Sequence, residues 1–399
     1  MVTREEYLEK IKPFMGRNIV KAITGLRRVG KSVFVRQIME SLKAQNVNPK
    51  NIIYVDMESL EFDSIKTYHD LNAYVMELAA KAAGKVYVFI DETRNIVEWE
   101  RAVASWSGRP ERFDVTITGS NSTLFSGALA TKLTGRYIEF PIYPLSLREF
   151  KQFPLRESNN EKIFDLYLKY GGLPGLHSLG EINDITALPY LDTVHGSIVL
   201  KDIVERNKIR NVGVLNSICR FTYDNIGNLL SANSISKYLK NQKLSINLQT
   251  TVNYLNYLTE SQLFYRVPRY DIKGKRQLEI NDKFYTVDLG LRNSQIGFKS
   301  QDIGQIIENL VYLELCRKGY QIYVGQMDAF EVDFIAVKNG TPNYFQVTVA
   351  LTDSSVVERE TRPLLAIADN HPKTIITLAP AFGDGINGIK VQSLSDFLS

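Results

Sequence analysis

The chain has 399 residues, 44% hydrophobic and 23% charged, with a formal net charge of +4. These are globular proportions. They exclude a disordered chain, a coiled coil and a collagen-like repeat, and the length suffices for two to three domains. No apolar run approaches the ~18 residues of a membrane span, and the charged opening MVTREEYLEK lacks the apolar stretch of a secretory signal. The expectation is therefore a soluble, cytoplasmic protein without membrane contact. Cys219, Cys316 and the four scattered histidines form no metal or disulfide pattern. Charge is uneven: residues 201–285 hold 14 Lys and Arg against 7 Asp and Glu. That basic middle reads either as a nucleic-acid footprint or as a solvated surface.

In chain order, Asn18–Thr24 is a strand-sized run and Lys31–Gln45 has apolar residues at helical spacing. Asn51–Asp56 is a second strand. Ser64–Ala83 reads as a helix with Ser64 as its N-cap. Lys85–Asp91 is a continuous apolar strand, as a strand covered on both faces should be. Val97–Trp106 is a helix, Asp114–Gly119 a fourth strand and Tyr137–Phe140 a fifth. Strands alternating with helices predict an α/β fold with a parallel sheet.

The first strand–helix turn is Gly25-Leu26-Arg27-Arg28-Val29-Gly30-Lys31-Ser32, which matches G-x-x-x-x-G-K-[ST]. Glycines let the backbone curl so that its N–H groups converge on a phosphate. Lys31 is expected to reach the β- and γ-phosphates, and Ser32 to offer its hydroxyl to magnesium. The helix N-terminus adds its positive end. The loop from Gly25 to Ser32, together with Val33, is the expected nucleotide-binding segment. The strand Val86–Ile90 then runs into Asp91 and Glu92. Asp91 is placed to hold Mg²⁺ opposite Ser32, and Glu92 to polarise the attacking water. Asn207-Lys208 lacks the Asp of a guanine motif, so ATP is expected rather than GTP. After the fourth strand, Asn121 or Ser120 is a candidate sensor of the γ-phosphate, the alternative being a turn capped by Ser122.

GLRRVGKS, VYVFIDE and TITGSNSTLFSGALATKLTGRYIEFPIYPLSLREF resemble prokaryotic AAA-type ATPases that carry a C-terminal domain of unknown function. YLKYGGLPG, SIVLKDIVER, KFYTVDLGLRN, IIENLVYLELCRKGY and EVDFIAV resemble that second domain. The resemblance implies an AAA-type P-loop ATPase core (1–150), a helical lid or connector (151–211), a winged-helix domain (212–290) and an α/β restriction-endonuclease-like domain (291–399). It departs after Asp91-Glu92, where the family usually has an apolar residue and Gln. Thr93 and Arg94 follow instead; Arg94 either supplies charge there or is simply solvated, the second being preferred. In related ATPases an arginine near Arg136 senses the γ-phosphate, in cis or from a neighbouring subunit, the alternative being an exposed strand-end arginine; Gly171-Gly172-Leu173-Pro174 lies where a G-x-P element touches the base, the alternative being a plain turn.

In the middle, helices are expected at Val212–Ile226, Ser231–Leu239 and Leu248–Thr259, with Ser231, Ser234 or Ser236 as cap. Strands at Leu263–Tyr270 and Gln277–Tyr285 follow, joined by a basic turn. On a winged-helix reading, Gln249, Thr250, Asn253 and Asn256 face DNA bases, while Arg266, Arg269, Lys273, Lys275 and Arg276 meet phosphates. DNA contact is thus expected through residues 249–276; against it, the recognition helix carries no Arg or Lys. In the tail, the resemblance implies that Glu308, Asp333 and Gln346 could gather round Mg²⁺. Position 348, where a nuclease has Lys, is Thr, so no cleavage is expected. The sequence reads as an ATP-hydrolysing enzyme whose nucleotide state controls its C-terminal domains, with homo-oligomers permitted. The alternative is a nucleotide-gated DNA- or protein-binding switch with negligible turnover.

Overall fold

β-Branched and aromatic residues dominate the five strands that open the chain: β1 (Val20–Thr24), β2 (Ile52–Asp56), β3 (Val86–Asp91), β4 (Phe113–Gly119) and β5 (Tyr137–Pro141). In the computed structural model, which describes residues 2–120, 133, 135–155, 159–244, 246–278, 281–380 and 385–399, they form one parallel sheet ordered β2-β3-β4-β1-β5. β4 therefore lies between the strand that enters the glycine loop and the strand that ends in Asp91. Helices α1 (Glu5–Ile11), α2 (Lys31–Ala44), α3 (Tyr68–Ala80) and α4 (Trp99–Ser107) accompany the sheet. Val20, Val55, Leu71, Val75, Val88, Val103, Trp106 and Ile117 belong to one buried core.

The third helix starts later than expected. Its N-cap is Thr67 rather than Ser64: the Thr67 hydroxyl accepts from the Asp70 N–H, and the Asp70 carboxylate accepts in return from the Thr67 N–H. This reciprocal box satisfies two donors at once, which Ser64 cannot do. Residues before it are drawn into a bridge between Thr67 and Val97.

The chain divides into two compact units, Met1–Tyr143 with Glu260–Gln262, and Pro144–Thr259 with Leu263–Ser399. The second unit opens with α5 (Leu147–Lys151), α6 (Asn160–Tyr170) and α7 (Asp184–Ser197). Next come α8 (Val212–Asp224), β6 (Leu229–Leu230), α9 (Ala232–Asn241), α10 (Leu248–Glu260) and β7 (Phe264–Val267). Ser231 caps α9. β8 (Arg269–Asp271), β9 (Arg276–Gln277), β10 (Asp282–Thr286), α11 (Leu289–Ile296) and α12 (Ile303–Arg317) follow. The chain ends in β11 (Gln321–Met327), β12 (Phe330–Lys338), β13 (Thr341–Thr348), α13 (Ser354–Leu365), β14 (Lys373–Thr377), β15 (Gly385–Ile386), β16 (Ile389–Ser393) and α14 (Leu394–Phe397).

A small antiparallel sheet has the order β6-β10-β7, and a mixed sheet has the order β15-β16-β14-β13-β12-β11-β8-β9. The expected strand 263–270 is thus two strands. Pro268 cannot donate to a ladder, and the chain changes sheets there. The basic hairpin β8–β9 belongs to the eight-stranded sheet, with β8 parallel to β11. Between β12 and β13, Asn339 and Gly340 both take positive φ, 52° and 78°, as a two-residue hairpin turn requires.

Candidate nucleotide site

β1 delivers the chain into the glycine loop, and α2 starts at Lys31 directly after it. Gly25 cannot carry a side chain, because a Cβ there would lie 2.4 Å from the Ile142 carbonyl oxygen. Gly30 takes φ 96°, the left-handed region, at the helix N-terminus. Leu26 and Val29 are buried and anchor the loop, Arg27 pairs with Glu58 at 3.1 Å, and Arg28 is exposed. Ser32 and Val33 are half-buried in the first turn of α2.

Lys31 is only 5% exposed. Its ammonium donates to the carbonyls of Gly25 at 3.0 Å and Leu26 at 3.2 Å, and lies 3.7 Å from Glu92 Oε1. Asp91 accepts from the Tyr54 hydroxyl at 3.0 Å and from the Thr118 hydroxyl on β4. Burial and the Asp91 charge push the Tyr54 phenol well above its usual range, so it stays a donor. Thr118 Oγ1 also accepts from the Glu92 N–H at 3.0 Å, so one β4 side chain fixes both carboxylate-bearing residues.

Glu92 itself takes φ 55°, a left-handed conformation uncommon for a residue with a side chain. Its Oε2 is buried without a hydrogen bond, 3.4 Å from Arg94 Nε. Arg94 is therefore not simply solvated: it turns back onto Glu92. Ser120, at the end of β4, is buried and its hydroxyl has no hydrogen-bond partner among the described residues. Asn121 and Ser122 lie outside the described residues. Arg136 precedes β5 with an exposed side chain, its carbonyl accepting from the Val20 N–H at 2.9 Å.

Sequence reasoning missed Arg4. Its guanidinium is buried and donates to the Val29 carbonyl of the glycine loop at 3.3 Å and to the Tyr143 carbonyl at 3.0 and 3.1 Å. It props the loop from a segment with no local signal for that role. The assembled set fits a nucleoside triphosphate with Mg²⁺. A buried ammonium resting on carbonyls has donors to give a phosphate, and the Ser32 hydroxyl and Asp91 are hard oxygen ligands. Among the described residues no three Asp, Glu, His or Cys side chains converge to hold an ion unaided.

Pro174 lies in the second unit and opens a short 3₁₀ turn, Pro174–Ser178. The glycines before it have a packing reason of their own. The buried Asp288 accepts from the Gly172 N–H at 2.7 Å and the Leu291 N–H at 3.1 Å, and a Cβ on Gly171 would lie 2.2 Å from Asp288 Oδ1. Burial raises the Asp288 carboxyl to about 6 although these N–H groups pull it down.

Several of the basic residues expected on DNA are engaged: Arg266 pairs with Asp282, Arg269 donates to Gln326, and Lys273 lies 3.2 Å from Asp328. Gln249 donates to Asn253 at 3.0 Å, while Lys275 and Arg276 are exposed. Thr250, Asn253 and Asn256 are half-buried on α10. In the tail the Asp333 N–H approaches Gln346 Oε1 at 3.4 Å, and Asp333 and Glu308 both face Lys283, at 4.0 and 2.9 Å. Among the described residues no helix is long and apolar enough to cross a membrane.

Residues 17–151 match the family described as an AAA domain, and residues 161–302 match a domain of unknown function, DUF8612. An uncharacterized protein of Haemophilus influenzae is 36% identical over 401 residues, covering 100% of this chain and 98% of its own. The uncharacterized protein MJ1544 of Methanocaldococcus jannaschii is 28% identical over 334 residues, 80% of this chain and 72% of that one. Among solved structures, the Walker-type ATPase paby2304 of Pyrococcus abyssi superposes with a TM-score of 0.52 at 16% identity, covering 73% of this chain and 95% of that chain. At that identity the likeness speaks for the fold. The chain belongs to the same family as the Haemophilus influenzae protein, which it matches over nearly its whole length, and its first unit, with the glycine loop and paired carboxylates on a parallel sheet, is an AAA domain.

Proposed function

We propose that the first unit binds ATP with Mg²⁺ and hydrolyses it. Lys31 and the loop N–H groups hold the phosphates, Ser32 and Asp91 hold the metal, and Glu92 takes the proton of the attacking water. The carrying observation is Glu92: a buried carboxylate with one oxygen lacking a hydrogen bond, beside the ammonium that would meet the γ-phosphate. Ser120, whose buried hydroxyl lacks a partner among the described residues, joins Asn121 as a candidate sensor. Arg136 is exposed and stands as an arginine that acts in cis or on a neighbouring copy. Phosphate release by wild type and Glu92→Gln tests the reading. Equal rates would remove the catalytic assignment.

A second reading is favoured by one contact. Arg94 and Lys31 both hold Glu92, and a base so engaged suits a nucleotide-gated switch with negligible turnover. ATP binding without turnover in wild type would select it.

In the second unit, residues 151–211 serve as connector, residues 212–290 as a winged helix and residues 291–399 as a nuclease-like module that does not cut. The three helices α8, α9 and α10 with the small sheet β6-β10-β7 support the middle assignment, while β8 and β9, between β7 and β10 in the chain, pair with the eight-stranded sheet. The half-neutralised basic hairpin supports backbone contact to DNA over base reading. Its affinity should fall as salt rises, because each phosphate contact releases counterions; a salt-independent affinity, or none, would remove DNA as a partner.

A further inference from the structure

Lys283 comes from β10, and all five residues of that strand are buried. Its side chain is 4% exposed, and its ammonium lies 2.7 Å from Glu331 Oε1, 2.9 Å from Glu308 Oε1 and 4.0 Å from Asp333 Oδ1. Three carboxylates from α12 and β12 thus surround one ammonium. Two further donors reach the same carboxylates. The Tyr285 hydroxyl donates to Glu308 Oε1 at 2.6 Å, and the Val347 N–H donates to Asp333 Oδ2 at 2.8 Å.

We propose that Lys283 is the resident cation of this carboxylate centre, filling the place a divalent metal would take, and that removing its ammonium opens a divalent-cation site. Two carboxylate oxygens already sit at hydrogen-bond distance from one nitrogen, so an ion cannot enter without expelling it. With the ammonium in place, no three metal-ligating side chains among the described residues are grouped to hold an ion. The centre is closed by its own lysine, which is a different reason for silence from the Thr at position 348. The proposal deepens the non-cutting reading of the second unit, but its readout is metal binding, so either can fail alone.

The test is Mn²⁺ binding to the full chain without nucleotide, followed by electron paramagnetic resonance, for wild type, Asp333→Asn, Lys283→Met and Lys283→Met/Asp333→Asn. The expected result is no Asp333-dependent Mn²⁺ in wild type and one ion in Lys283→Met, bound at least tenfold tighter than by wild type and lost again in the double variant. Wild-type Mn²⁺ binding that disappears in Asp333→Asn would overturn the proposal. So would a folded Lys283→Met that binds none. If that variant does not fold, Lys283→Gln, close in length and polar, is read in the same way. The wild-type arm alone can overturn the idea.

Discussion

Each unit holds one buried lysine beside carboxylates, and the two are held differently. Lys31 donates to two backbone carbonyls and lies 3.7 Å from Glu92 Oε1. Lys283 is clamped by two carboxylates at 2.7 and 2.9 Å with a third behind. Neutral carbonyls are weaker partners than ionised ones, so an incoming phosphate can take over Lys31 but not Lys283. Burial of a lysine therefore does not mark a binding site. The charge of what it already touches does.

The largest expected break is Lys31→Ala. Removing a buried charge from its partner costs about 4 kcal/mol, roughly a thousandfold in affinity, and ATP titration by fluorescence would show it. Lys283→Met should leave ATP affinity within about twofold while costing roughly 3–5 kcal/mol of stability, since its carboxylates lose their partner. Urea unfolding measures this, and a neutral result would erase the contrast between the lysines. Glu92→Gln keeps ATP binding and should lose turnover about 10²-fold or more, read as phosphate release.

An effect of similar size sharpens the electrostatics of the second unit. The Asp288 carboxyl is raised to about 6 in the fold, against roughly 3.9 unfolded. The folded state then binds the extra proton, so this group's contribution is full below pH ~4 and is lost as pH rises through about 6, a change of about 3 kcal/mol. Comparing wild type with Asp288→Asn by urea unfolding at pH 4.5 and pH 7 tests it. An Asp288→Asn protein that keeps the wild-type pH slope would locate the slope elsewhere.

The strands of the first unit were legible to within two residues, because a doubly covered sheet needs continuous apolar runs. Lys31, Asp91 and Glu92 were legible because the motif is local. Thr118 was not: its grip on Asp91 depends on β4 lying beside β3, a sheet order no local pattern encodes. Arg4 acts across 25 residues on Val29, again without a local mark. Lys283 counted only as one charge of a basic stretch, since nothing in Asp282–Thr286 announces that every residue of the strand is buried. The single strand expected at 263–270 failed for a simpler reason. Pro268 was passed over inside an otherwise strand-like run, although a proline there demotes the run.

An open sheet of eight strands has two rims where unpaired N–H and C=O groups could recruit the same sheet of another copy. Here both rim strands, β15 and β9, are two residues long. The β9 rim presents Arg276, with the exposed Lys275 and Lys273 just ahead of it. Two copies meeting there would bring like charges together over a ladder too short to offset the repulsion. The hairpin, even with Lys273 beside Asp328 and Arg276 3.9 Å from Asp271, thus disfavours edge-to-edge pairing of two copies without any nucleic acid.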